Sequence, residues 1–145
     1  MITVERQGIV PYTAQRMYAL VEDIESYPLF LPWCSRTEVV ARSARRAVAT
    51  IHVDFRGVQQ AFTTENRMRP GERIEMALVR GPFKDLAGEW RFFALSAAGC
   101  RVELALAYQL ASPLLARVVG PVFDHIANTF VDAFVRRADA LHQSP

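Results

Sequence analysis

The sequence predicts an α+β fold in which a strongly curved sheet of seven antiparallel strands wraps around a long C-terminal helix. Two short helices are expected after the first strand. Between residues 35 and 109, apolar and polar side chains alternate with the period of two that is typical of half-buried strands. After Ser112, apolar side chains recur every three or four residues, which predicts an amphipathic helix. The 145 residues are most simply one domain, 1–145.

Composition and charge exclude several classes of protein. Seventeen basic residues against fifteen acidic ones give a net charge of +2, too little to indicate a nucleic-acid-binding protein, and no DNA partner is expected. No window approaches the ~18 apolar residues of a membrane span, and the N-terminus lacks a signal core, so a cytoplasmic setting is predicted. Cys34 and Cys100 are far apart, which predicts neither a disulfide framework nor a metal pair.

The first 34 residues predict one strand followed by two short helical segments. Residues 2–10 alternate loosely, as a strand does, and Thr13 can cap a helix that runs to about Ile24. The stretch ESYPLFLPWC follows, and its prolines, Pro28 and Pro32, prevent a continuous helix. A short helical turn or an ordered loop is therefore expected there.

Six further strands are predicted from residue 35 onward. Clear alternation marks the runs AVATIHVDF, RIEMALV, LAGEWRFF and RVELALAYQ, and weaker candidates cover 36–43 and 58–67. Turn residues separate them at Gly57, Pro70–Gly71, Gly81–Pro82 and Ala98–Gly99. Such short turns join antiparallel neighbours, so the strands should form a meander.

The C-terminal helix is predicted to begin at Ser112–Pro113, a capping residue followed by a proline. Its apolar stripe comprises Val119, Phe123, Ile126, Phe130, Phe134, Ala138 and Leu141, and its polar side comprises Arg117, Asp124, Asn128, Asp132, Arg136 and Asp139. Gly120–Pro121 should interrupt it. This break either bends the helix along the sheet or acts as a hinge that lets Leu114–Val119 open a cavity.

A helix that crosses a curved sheet leaves an apolar space between the two. The predicted lining is Phe62, Trp90 and Phe92 from the sheet, with Phe123, Ile126 and Phe130 from the helix. Tyr27, Phe30, Leu31 and Trp33 either plug the end of the sheet or form one lip of an entrance, with Gly81, Pro82 and Phe83 as the facing lip.

Catalytic chemistry has weak support, and the chain is predicted not to be an enzyme. His52 and Asp54 share the solvent face of one strand, and His142 is near the terminus. His125 is expected on the polar flank of the long helix, where contact with the polar end of a ligand is an alternative role. No metal-ligand spacing and no phosphate-binding glycine loop is present.

Three separated motifs resemble the START-like ubiquinone-binding proteins of the polyketide cyclase/START superfamily, a family that includes the bacterial ribosome association toxins. The motifs are ESYPLFLPWC, GPFKDLAGEWRF and VFDHIANTFVDAFVRRA, and the resemblance covers nearly the whole chain. The matching positions are Tyr27, Pro28, Phe30, Pro32, Trp33 and Cys34, then Gly81, Pro82, Phe83, Leu86, Trp90 and Phe92, and finally Phe123, Ala133, Phe134 and Arg137. Trp33–Cys34 is more similar to the quinone-binding branch, whereas Gly120–Pro121 departs from the family pattern.

The resemblance implies a helix-grip fold and a non-catalytic role in respiratory electron transport. The apolar cavity would bind ubiquinone or a related polyisoprenoid lipid, with no obligatory cofactor and with transient contact at the inner membrane surface. The ligand-contacting residues would be Tyr27, Phe30, Leu31, Trp33, Phe62, Phe83, Trp90, Phe92, Phe123, Ile126 and Phe130.

A toxin-type function is the alternative: binding to the large ribosomal subunit, which blocks subunit joining. The candidate contacts are Arg42, Arg45, Arg46, Arg136 and Arg137. Binding through them would weaken steeply with salt, because phosphate contacts release counterions. A third class, an enzyme of the cyclase or dehydratase kind, lacks a convincing acid–base pair.

Overall fold

The computed structural model describes residues 1–142 and has seven strands and four helical segments. The strands are β1 (Ile2–Val10), β2 (Cys34–Arg42), β3 (Arg46–Phe55), β4 (Val58–Arg69), β5 (Arg73–Arg80), β6 (Phe83–Ala94) and β7 (Cys100–Leu110). The helices are α1 (Ala14–Glu22), a 3₁₀ helix (Ile24–Leu29), α2 (Pro113–Val118) and α3 (Gly120–His142).

All strands belong to one antiparallel sheet in the order β1-β7-β6-β5-β4-β3-β2. Consecutive strands from β2 to β7 are neighbours, as expected for a meander, and β1 adds to the free edge of β7. Helix α3 lies across the sheet and buries its apolar stripe. The predicted fold, a curved seven-stranded sheet around a long C-terminal helix, is confirmed.

A capping residue and a proline account for the two N-terminal helical segments. The Thr13 hydroxyl accepts a hydrogen bond from the Arg16 amide at 3.2 Å, as predicted for a capping residue. Helix α1 ends at Glu22, two residues before the predicted end, and the 3₁₀ helix over Ile24–Leu29 includes Pro28. The expected short helical turn is therefore confirmed.

The predicted break in the long helix is also confirmed. Ser112 caps α2 by accepting a hydrogen bond from the Leu115 amide at 3.1 Å, and a new helix starts at Gly120, directly before Pro121. Because α2 buries none of its side chains, Leu114 and Val118 remain 69% and 56% exposed. The hinge role of this segment stays a prediction.

The apolar stripe of α3 forms the centre of the core, with one correction. Phe130 and Phe134 pack edge to face with ring centroids 5.2 Å apart, and Phe134 also contacts Tyr27 and Trp90 at 5.4 and 5.3 Å. Leu141 was predicted in the stripe but is half exposed. It lies on the last helical turn, beyond the part of α3 that the sheet covers.

Candidate functional site

An apolar cavity of about 70 Å³ lies between the concave face of the sheet and α3. Strands β3, β4, β5, β6 and β7 contribute its walls, α3 crosses it, and the segment after α1 closes one end. It is lined by Ile24, Tyr27, Trp33, Ala49, Ile51, Phe62, Thr64, Asn66, Met76, Phe83, Leu86, Gly88, Leu106, Tyr108, Phe123, Ile126, Ala127 and Phe130. The expected space between helix and sheet is therefore present.

Seven of the eleven predicted ligand-contacting residues line this cavity: Tyr27, Trp33, Phe62, Phe83, Phe123, Ile126 and Phe130. Phe62, Phe83 and Phe123 form an aromatic cluster at one end, where the rings of Phe83 and Phe123 are 4.7 Å apart. Tyr27 and Trp33 are buried at the other side and favour the first of the two alternatives, a plug at the end of the sheet.

The placement of the other four predicted residues needs correction. Trp90 is only 1% exposed, and its ring lies against Phe130 and Phe134, so it fills the space between β6 and α3 instead of facing the cavity. Phe92 lies beneath α1, where it meets Tyr18 edge to face at 5.7 Å. Leu31 is buried in the core, and Phe30 lies in a separate surface groove.

Three polar side chains in the cavity wall were missed by the sequence reasoning. The Thr64 hydroxyl donates to Oδ1 of Asn66 at 2.8 Å, and the Tyr108 hydroxyl donates to the Asp124 carboxylate. Burial, and then this hydrogen bond, raise the pKa of Tyr108, so the hydroxyl stays protonated as a donor. The alternation within residues 58–67 places Phe62, Thr64 and Asn66 on one face and could have revealed two of the three.

Asp124 and Asp139 also differ from the simple polar flank that the helical pattern predicted. Asp124 accepts a hydrogen bond from Tyr108, and Asp139 accepts one from the Tyr12 hydroxyl at 2.6 Å. Both aspartates therefore fix α3 to the strand or segment beside it.

In the part of the chain that the structure describes, no histidine, aspartate or glutamate lines the cavity. His52 lies on the outer face of the sheet, where its Nε2 is 2.8 Å from a Glu38 oxygen, and His125 stacks on Phe55 outside the cavity. Among residues 1–142, no three His, Cys, Asp or Glu side chains group as metal ligands would. The cavity wall is mostly apolar and carries a few hydrogen-bonding groups.

A second depression, which we name the α3 groove, lies on the surface and has a volume of about 420 Å³. It is lined by Phe30, Pro32, Trp33, Phe55, His125, Thr129, Ala133, Arg136, Arg137 and Ala140. Trp33 lines both the groove and the interior cavity, so one indole ring separates the two spaces.

The predicted arginine surface is not one surface. Arg42 and Arg46 flank the β2–β3 turn, and both guanidinium groups are already paired: Arg42 with Glu25 at 2.8 Å and Arg46 with Glu65 at 2.7 Å. Arg136 and Arg137 lie instead in the α3 groove, beside Phe55 at the other end of β3. A ten-residue strand spans roughly 30 Å, so the two groups of arginines are well separated.

No helix within residues 1–142 combines the length and the apolar character that crossing a bilayer requires. The interior cavity and the α3 groove are both formed by the sheet and the helical segments described above.

Comparisons with known proteins place this fold in a family. A ribosome association toxin, RatA of Pseudomonas aeruginosa, is 42% identical over 139 residues, which cover 96% of each chain. A mitochondrial coenzyme Q-binding protein of Xenopus laevis is 25% identical over 92% of this chain and 57% of its own length. The crystal structure of the Zhui aromatase/cyclase superposes with a TM-score of 0.82 at 19% identity, covering 95% and 93% of the two chains, which is a likeness of fold.

A family model described as polyketide cyclase/dehydrase and lipid transport matches residues 10–135. That span contains every residue of the cavity wall, whereas Arg136, Arg137 and Ala140 of the α3 groove lie just beyond it. The curved sheet, the long helix that it surrounds and the apolar cavity between them agree with this match. The chain belongs to the polyketide cyclase/dehydrase and lipid transport family, and ribosome association toxins are among its relatives.

Proposed function

We propose that this protein associates with the large ribosomal subunit and blocks subunit joining. The observation that carries this proposal is the 42% identity to a ribosome association toxin along nearly the full length of both chains. The coenzyme Q-binding protein is a more distant relative, at 25% identity, and the match covers only 57% of that protein's length. The balance between the two predicted functions therefore shifts toward the ribosome.

Cations in and beside the α3 groove support this proposal: Arg136 and Arg137 line it, and Arg56 lies over the Phe55 ring. Arg56, Arg136 and Arg137 take part in no ion pair among residues 1–142, whereas most arginines of the sheet lie beside a glutamate. Guanidinium groups without a carboxylate partner are available to phosphate oxygens.

The test is co-sedimentation of the purified protein with isolated large subunits, at salt concentrations between about 50 and 200 mM. We expect binding that weakens with salt, by a log–log slope of about −0.7 for each single-strand phosphate contacted. Addition of the protein to separated subunits should also reduce the fraction that joins. Absence of co-sedimentation at the lowest salt would refute the proposal.

A second candidate function, binding of ubiquinone or another isoprenoid lipid, is favoured by the interior cavity. Its walls are almost wholly apolar, and burial of apolar ligand surface contributes about 25 cal/mol for each Å². However, the cavity of about 70 Å³ is about half of the ~150 Å³ that accommodates benzene in an engineered protein core. A quinone ring could therefore enter only after the walls move apart.

Mass spectrometry of organic extracts from the natively expressed protein tests this second candidate. A stoichiometric ubiquinone or menaquinone peak is expected, and it should disappear in Ala127→Leu, which fills the cavity from α3. Val135→Leu is the matched control, because Val135 lies on the same helix but faces Gly8 of β1. Extracts with no isoprenoid, or equal amounts from both variants, would count against a lipid-holding cavity.

A further inference from the structure

We propose that the α3 groove is the surface that contacts ribosomal RNA, with its aromatic side chains stacking on an unpaired base and its arginines binding the adjacent phosphates. This inference rests on the proposed ribosome association and names the part of the molecule that would carry it.

The floor of the groove is apolar because three elements meet there. Phe30 follows the 3₁₀ helix, Phe55 ends β3, and α3 supplies the face that contains His125 and Ala133. The rings of Phe55 and His125 are nearly parallel, with centroids 5.3 Å apart and 20° between their planes. Both rings are only half buried, and the Arg56 guanidinium lies over the Phe55 ring, so the stack that a base can reach consists of two rings and a guanidinium group.

Small side chains keep the groove open along α3. Thr129, Ala133 and Ala140 recur on one helical face at spacings of four and seven residues. The Thr129 hydroxyl is satisfied by the His125 carbonyl at 2.7 Å, so this wall presents few polar groups of its own. From His125 to Ala140 the helix rises by roughly 22 Å, enough to follow several nucleotides.

Cations lie in and beside this apolar floor, and among residues 1–142 no carboxylate lines it. The Arg137 guanidinium lies 5.2 Å from the Phe30 ring centroid, and the Arg56 guanidinium lies 4.7 Å from that of Phe55. Arg136 is exposed at the rim. Since none of the three has an ion-pair partner among residues 1–142, their charge is available to an anionic partner.

The combination of stacking surfaces and free guanidinium groups fits single-stranded RNA better than an acidic protein segment. An acidic protein segment would bind the arginines, but its carboxylates would not stack on the parallel rings of Phe55 and His125. RNA-binding proteins combine both features, because unpaired bases stack on aromatic or guanidinium planes while arginines bind the backbone. The small net charge of +2 does not oppose this, since a phosphate responds to the local charge, and three cations without an ion-pair partner among residues 1–142 lie in or beside this groove.

The experiment compares three variants for binding to purified large ribosomal subunits. Arg136→Glu/Arg137→Glu reverses the groove charge, and Phe55→Leu removes a stacking ring while keeping an apolar side chain. The matched control is Arg67→Glu/Arg69→Glu, which makes the same charge change at exposed arginines of β4 that already lie beside glutamates. Thermal unfolding verifies that each variant folds, and Arg136→Gln/Arg137→Gln replaces the charge reversal if that variant is unstable.

We expect the groove charge reversal to weaken binding at least tenfold and to flatten the log–log salt slope by about 1.4, which is two single-strand phosphate contacts. Phe55→Leu should weaken binding roughly 5- to 150-fold without changing the salt slope, because stacking carries no net charge. The control should bind within about threefold of wild type. Ultraviolet cross-links from the wild-type groove should join ribosomal RNA.

Each contrary result has a distinct meaning. Equal binding by wild type and the groove variants would overturn the RNA-contact proposal while leaving ribosome association intact. Cross-links only to ribosomal protein would overturn RNA as the partner. Absence of binding by wild type would refute the proposed function itself.

Discussion

The two cysteines, Cys34 and Cys100, are buried thiols rather than reactive ones. Burial raises the pKa of Cys34 to about 11, against a smaller opposing effect of a backbone hydrogen bond at Arg36, and burial likewise raises the pKa of Cys100. A raised pKa favours the protonated form, so at pH 8 very little of Cys34 is the nucleophilic thiolate.

Ellman's reagent should therefore leave both cysteines unmodified in the native protein at pH 8, whereas the unfolded chain should react at two thiols. The measurement is absorbance with and without denaturant. Rapid modification of one thiol in the native state would show that its surroundings open readily, in disagreement with this packing.

At the residue scale, the sequence predicted which face of a strand a side chain lies on, but not how deep it lies. Trp90 and Phe62 both belong to the concave face, yet Trp90 fills the core while Phe62 lines the cavity. Trp90→Asp would therefore bury a charge in the core and unfold the protein. Depth depends on sheet curvature, which comes partly from register shifts at Thr63/Thr64 and Phe83/Asp85 that no periodic pattern encodes.

At the element scale, the β5–β6 turn has a backbone that only glycine adopts without strain. Gly81 has a φ of 153°, and an added Cβ would lie 2.7 Å from Cβ of Phe62 and 3.2 Å from its Cα. Gly57, in the β3–β4 turn, has a φ of 80° but no atom within 4 Å of an added Cβ. An alanine at Gly57 would therefore add backbone strain alone, whereas an alanine at Gly81 would add both backbone strain and steric overlap.

Gly81→Ala is expected to lower the free energy of unfolding by about 3 kcal/mol, and Gly57→Ala by about 1 kcal/mol. Urea denaturation followed by tryptophan fluorescence measures both. A larger loss for Gly57→Ala would contradict the close approach of β4 to the β5–β6 turn.

The elements themselves were largely predictable from local pattern. The period of two predicted strands at 36–43 and 58–67, which the structure places at Cys34–Arg42 and Val58–Arg69. Capping residues and prolines predicted the starts of α1 and α2 and the break before Pro121. The α3 groove was not predicted, because it joins residues from three elements that are distant in sequence.

At the scale of the whole molecule, charge is distributed unevenly although the net value is small. Outward-facing arginines of the sheet alternate with glutamates and pair with them, as Arg73 and Arg91 do with Glu89. Exposed pairs of this kind contribute roughly 0–1 kcal/mol each, so they chiefly mask charge. Net charge alone therefore does not describe how the charge is distributed over the surface.

The pairing of β1 with β7 has a consequence for how the chain is made. Ile2 lies opposite Tyr108 and Val10 opposite Cys100, so β1, which is translated before the other strands of this sheet, is the last of them to find its neighbour. At about 5 to 20 residues per second, β1 waits for roughly 5 to 20 seconds until β7 has been translated. Helix α3 follows later still, and a nascent chain has neither an enclosed cavity nor a complete groove until about residue 140 has been synthesised. Any activity that depends on either space is thus withheld from the growing chain and begins only after nearly all of these residues have been translated.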